Sequence, residues 1–149
     1  MKQIFSIWLV LIALVFSASA QVGPNAITLS TNRVAALSTN STAGTGFFVG
    51  SEDVVNILLT CSSTNAVAIG AGDAAATFTL RLAGSMDGVT YFENGTNWDV
   101  VYTTAQTNST STYRQINSTG AQYFRPNKMM LTTTNVNFTI QPSATYWYK

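Results

Sequence analysis

Apolar and polar residues alternate one by one along much of this chain, and helical spacing is nearly absent. In "ATFTLRLAG" (residues 76–84), Phe78, Leu80 and Leu82 fall on one side and Thr77, Thr79 and Arg81 on the other. "NVNFTIQ" (135–141) repeats the pattern, with Val136, Phe138 and Ile140 set against Asn135, Asn137, Thr139 and Gln141. A period of two marks a strand with one buried and one wet face. "WDVVYT" (98–103) puts Trp98, Val100 and Tyr102 on a shared side. "VVNILLT" (54–60) is more continuously apolar, which fits a strand buried on both faces or a short helix.

Turn chemistry separates these runs at short intervals. "STNSTAGTG", "GAGDAA", "SMDG", "ENGTN", "NSTG" and "RPN" each carry the Gly, Asn, Asp or Pro that tight reversals need. About eight to ten short strands with frequent turns predict an all-β fold, an antiparallel β-sandwich of jelly-roll type. The longest polar stretch, "TTAQTNSTSTY" (103–113), reads as an exposed loop or an edge strand. Pro24 forbids a helix in "QVGPNAITLSTNRVAAL" (21–37), so this stretch is expected to be an extended arm, adding "AITL" to its own sheet or a neighbour's. In "SATYWYK" three adjacent aromatics cannot all face one core. Either this is a last strand closing the sandwich, or it forms an aromatic patch that a partner covers.

The first twenty residues are a different material. Lys2 precedes an apolar run at 4–16, and Ala18-Ser19-Ala20 has the small-x-small form of a signal-peptidase site. Residues 1–20 therefore read as a secretory signal peptide, with an uncleaved anchor as the rival. The apolar run is shorter than the ~20 residues that span a bilayer. Residues 21–149 are expected to form a single domain. They carry six basic residues (the seven of the whole chain less Lys2) and six acidic ones, so their net charge is about zero. No basic stripe is available to release phosphate counterions, which argues against nucleic acid as a partner. Thr, Ser and Asn carry the polar duty instead. Cys61 is the only cysteine, which rules out an internal disulfide; it ends an apolar run and is expected to be a buried small hydrophobe.

The chain has no histidine. That removes Ser-His-Asp and Cys-His nucleophilic systems and nearly all zinc sites. Paired carboxylates remain, with Glu93 and Asp99 across "ENGTNWD" and Glu52 beside Asp53. Two acids could hydrolyse a glycosidic bond, but acids beside turn residues more commonly accept backbone N–H bonds. Oxygen ligands crowd between Asp87 and Asp99 without the spacing of a calcium loop. Sequons stand at Asn40, Asn94, Asn108, Asn117 and Asn137, as expected by composition in so Asn- and Thr-rich a chain.

One phrase carries a resemblance. "FTLRLAGSMDGVTYF" leads into "ENGTNWDVVYTT" and then "STYRQINSTGAQYFRPNKMML". The order is a strand, Ser-x-Asp-Gly and an aromatic, a second strand, then Phe124-Arg125. Over about residues 76–131 this resembles a module of small phage and prophage virion proteins and of discoidin-like carbohydrate-binding β-sandwiches. The resemblance implies that Asp87-Gly88 is a structural turn and that Tyr91, in the usual Trp position, packs on the core. It also implies that Arg125 neutralises an acid or caps a sheet edge, with Asp87 or Asp99 as its counterpart.

The sequence thus predicts an exported or virion-borne protein with no catalysis, no cofactor and no metal. Its expected work is structural, the docking of sandwich copies on one another or on other subunits of a particle, filament or surface. The alternative is a secreted carbohydrate-binding module with a polysaccharide as partner. Tyr91, Trp98, Tyr146, Trp147 and Tyr148 are the expected contact residues in either case. A membrane is expected as a partner only where the N-terminal segment is retained.

Overall fold

Aromatic and β-branched residues at alternate positions favour strands, and Gly, Asn and Asp interrupt them. The computed structural model describes residues 22–30, 34–35, 39–40, 44–63, 76–103, 109–133 and 139–148. Among these, the strands form two antiparallel sheets. The first runs β1 (Val22–Ile27), β11 (Thr139–Tyr148), β5 (Val54–Ser63) and β9 (Ser109–Asn117), with β2 (Val34–Ala35) also paired to β11. The second runs β3 (Thr39–Asn40), β10 (Tyr123–Thr132), β6 (Thr77–Ser85) and β7 (Phe92–Glu93). On it, β4 (Phe47–Phe48) pairs with β10 and β8 (Asp99–Thr103) with β6.

The pairing is nested. β1 meets β11, β3 and β4 meet β10, β5 meets β9, and β6 meets β7 and β8. Folding a long hairpin onto itself in this way produces a jelly roll. The fold class is the expected one. The strand count among the described residues is eleven, above the expected range, because four strands are two residues long and too short to show a period.

The core lies between the sheets. Phe78, Leu80 and Leu82 of β6 point into it and Thr77, Thr79 and Arg81 point away, as the alternation requires. From the other side come Val55, Ile57, Leu59 and Cys61 of β5. Each fully buried apolar side chain of this size contributes about 1.5–3 kcal/mol relative to its exposed state. "VVNILLT" is a strand, with no helix, and it is less enclosed than its composition suggests. Leu58, on its outer side, is only half-buried. Burial pushes the Cys61 thiol up to about 12, so it stays protonated and serves as packing. Residues 134–138, which hold most of the "NVNFTIQ" pattern, lie outside the described residues, as does the apolar segment at 1–20.

All three prolines lie in strands and sit where the ladder tolerates them. The register of β1 against β11 shifts between Val22 and Asn25, around Pro24. The register of β10 against β6 shifts between Pro126 and Lys128. A bulge there fits a residue with no N–H to donate. Pro142 of β11 lies between the positions paired to β1 and those paired to β2, so on that side no described strand waits for its missing N–H. Within the stretch expected as an arm, Val22–Ile27 forms β1 and Val34–Ala35 forms β2, both hydrogen-bonded to β11 of their own sheet.

The loops at one end of the sandwich are tied together by main-chain bonds. Val49 N donates to Gln122 O (2.8 Å), Gln122 N to Ser85 O (2.9 Å), and Ser118 N to Asp53 O (2.8 Å). This loop end also holds the Asp87 turn.

Candidate functional site

Strand alternation splits the aromatic run of β11. Tyr146 and Tyr148 face inward at the margin of the core, where Tyr146 stacks on Phe47 with centroids 4.1 Å apart. Partial burial, then the neighbouring Tyr148, push the Tyr146 hydroxyl up from its ordinary pKa. Trp147 points the other way, onto the outer face of the first sheet. There it meets Tyr113 of β9, with ring centroids 5.8 Å apart and planes 24° from parallel. Tyr113 is 52% exposed.

Between these rings runs β5, and its Asn56 organises them. The register places Asn56 opposite both Trp147 and Gln115. Its amide oxygen accepts from the Tyr113 hydroxyl (2.6 Å) and from Gln115 Nε2 (3.1 Å), and its Nδ2 donates to the Trp147 carbonyl (3.3 Å). A buried amide must satisfy its polar atoms or cost stability. Asn56 does so while fixing the Tyr113 hydroxyl and the Gln115 amide in place. Four residues along β5, Thr60 and Ser111 share a hydroxyl bond of 2.8 Å. Among the described residues the face is uncharged and mixes aromatic rings with amides.

The other expected contact residues lie elsewhere. Trp98 is fully buried and has no ring face for a ligand or a partner. Its indole N–H donates to Asn117 O (2.7 Å), Phe124 meets it edge-on at 5.1 Å, and Phe92 lies 5.4 Å away. Gly84 admits this ring: a Cβ at that position would come within 2.6 Å of it. Tyr91 lies beneath Arg125, whose guanidinium carbon is 4.2 Å from the ring centroid. Arg125 therefore stacks on an aromatic ring and meets neither of the acids the resemblance implied.

Asp87-Gly88 is the corner of the β6–β7 hairpin, as read. Val89 N and Thr90 N both donate to Asp87 Oδ1 (2.8 Å each), and the Ser85 hydroxyl donates to the same oxygen (2.8 Å). These bonds, the one from Thr90 foremost, lower the Asp87 carboxyl to about 2. Gly88 adopts φ +73°, a left-handed conformation costly for other residues. Around this turn stand exposed apolar side chains: Met86 (69%), Val89 (81%), Phe92 and Phe48. Met86, Asp87, Thr90 and Phe92 line an open hollow of about 240 Å³.

Asp99 and Glu93 are held by cations. Arg81 donates to both oxygens of buried Asp99 at 2.7 Å, and Arg114 donates to the Asp99 carbonyl. Lys128 stands 2.8 Å from Glu93, Arg81 is 3.7 Å from it, and Asn127 also donates to it. The Lys128 contact chiefly holds the Glu93 carboxyl below its ordinary range. A glycosidase acid needs a raised pKa, and Glu93 has the opposite. Among the described residues no cluster of acids, histidines and cysteines suits a metal ion, and no helix is long and apolar enough to cross a membrane.

Tyr113, Asn56 and Gln115 escaped the sequence reading. One signal was present: Asn56 interrupts an otherwise apolar strand, and such a residue needs partners on both sides. The partners themselves come from strands 57 and 91 residues away.

Fold and site together define a jelly-roll β-sandwich with an uncharged aromatic face on one sheet. No known family model matches the sequence, and no curated protein does. Among solved structures, it is similar to the CBM22-1–GH10 modules of Clostridium thermocellum xylanase 10B complexed with xylohexaose (12% identity, TM-score 0.44). That match covers 87% of this chain and 25% of the other. It is also similar to the infectious bursal disease virus VP2 subviral particle (9% identity, TM-score 0.45, 88% and 33%). A third similarity is to a family 16 carbohydrate-binding module (10% identity, TM-score 0.35, 74% and 70%). This chain spans a quarter of the length of the xylanase chain it matches.

Proposed function

We propose that this protein is a non-catalytic binding module that holds a glycan against the outer face of its first sheet. The observation that carries this reading is the Tyr113–Trp147 ring pair across β5, with the Tyr113 hydroxyl and the Gln115 amide both bonded to buried Asn56. Sugar rings present C–H faces that pack on aromatic surfaces, and hydroxyls that bond to amides. Tyr and Trp supply large contact area with few rotors to freeze. Groups already locked by hydrogen bonds lose little entropy on binding. The experiment is retention of the purified protein on a panel of immobilised polysaccharides, with Tyr113→Ala and Trp147→Ala as controls. Retention of the parent with loss in both variants is expected. Equal retention of all three rejects this face as the site.

A second reading, self-association as a particle or surface subunit, is favoured by the loop end of the sandwich. Met86, Val89, Phe92 and Phe48 gather there as exposed apolar groups beside an open hollow. Its measurement is light scattering of the protein against concentration. A larger species that Met86→Ser and Val89→Ser dissolve supports it, and a monomer throughout rejects it.

A further inference from the structure

We infer that the outer face of the first sheet selects uncharged saccharides, with Glu52 and Asp53 turning acidic chains away. The inference rests on the glycan-binding reading and names the ligand class of that same site.

Outward positions of β5, β9 and β11 carry amides, hydroxyls, two aromatic rings, Val54 and Leu58, with no carboxylate, guanidinium or ammonium among the described residues. Every described cation is committed elsewhere. Arg81 and Lys128 hold Asp99 and Glu93 on the second sheet, and Arg125 covers Tyr91. Arg114 belongs to β9, but its side chain turns to the edge and donates to the carbonyls of Asp99, Thr96 (3.3 Å) and Asn97 (3.3 Å). A uronate or sulfate on this face would be desolvated with no counter-charge from the described residues.

The flank adds repulsion. Glu52 and Asp53 immediately precede β5, and Asp53 stands three residues before Asn56. Three strand residues span ~10 Å, about one Debye length at moderate salt. An acid on a bound chain would feel both carboxylates at low ionic strength. Meanwhile Asn56 has its oxygen doubly occupied and its nitrogen donating to Trp147 O, so it is a positioning residue that does not itself reach the ligand. The Gln115 amide oxygen has no other partner among the described residues, and it is the acceptor offered to a sugar hydroxyl.

The test uses matched ligands. Calorimetry of the whole protein is run with each neutral glycan that binds and with the same chain carboxylated at C6, at low and at physiological ionic strength. Expected is neutral binding indifferent to salt, with the carboxylated form weaker by about tenfold or more at low salt, a factor equal to 1.4 kcal/mol. Glu52→Gln with Asp53→Asn narrows that gap and leaves neutral binding unchanged. A carboxylated form that binds as well as its neutral parent overturns the inference and leaves the glycan reading standing. Failure of every neutral and acidic chain to bind overturns that reading, and the inference with it. Tyr113→Ala and Gln115→Ala, checked for intact folding by circular dichroism, must both weaken neutral binding. Unchanged affinity in both moves the ligand off this face and overturns both.

Discussion

The two sheets turn opposite chemistry outward. On the second, Arg81, Asp99, Glu93 and Lys128 interlock, and the charges meet one another more than they meet solvent. On the first, the described outward side chains are uncharged, and buried Asn56 bonds the Tyr113 hydroxyl, the Gln115 amide and the Trp147 main-chain carbonyl, with the Tyr113 and Trp147 rings side by side. The two described tryptophans divide the same way. Trp98 is sealed inside with its N–H on a main-chain carbonyl, and Trp147 lies on the surface beside Tyr113. Among the described residues charge serves as a fastener, and uncharged polar groups make up the face proposed to bind.

That division is open to attack, beginning with Trp98. Trp98→Ala should cost about 3–5 kcal/mol, since it leaves a cavity against Phe124 and strands the Asn117 carbonyl. Urea denaturation reads it directly, and an unchanged midpoint would mean that this ring is not part of the fastening. Asp99→Ala comes next. It leaves the Arg81 guanidinium with only the 3.7 Å Glu93 contact, at a cost of about 1.5–3 kcal/mol. The same denaturation curve decides whether the network stabilises the fold or merely decorates it.

A smaller effect concerns pH. The folded Asp87 carboxyl lies near 2 and the unperturbed value is 3.8, so its pKa falls on folding. Its contribution is complete above the unfolded value and is lost as pH falls from 3.8 toward about 2. Thermal melts across that window should show a decline that is shallower in Asp87→Asn. Glu93 titrates low as well, so only the difference between the parent and the variant assigns the effect to the turn. The smallest expected change is at Gln115. Gln115→Ala should shift stability by no more than about 0.5 kcal/mol, because Asn56 keeps its bond from Tyr113. Glycan binding should still fall. A large loss of stability there would make the outer face a structural element like the opposite one.

Sequence determined the parts that depend on neighbours along the chain. Alternation in "ATFTLRLAG" assigned the faces of β6, and the apolar setting of Cys61 predicted its burial. The Asp87-Gly88 corner was legible because its bonds run between residues two or three apart. "SATYWYK" could be read as a strand whose rings must divide, since a period of two allows nothing else. Only the tertiary structure decided which ring reached a surface. Trp98 follows the polar turn "ENGTN" and Trp147 stands between two tyrosines, yet the jelly-roll pairing buries the first against Phe124 and lays the second beside Tyr113 on the surface. The register that brings β9 and β11 to either side of Asn56 is set by contacts far apart in the chain, whose pattern no local period records.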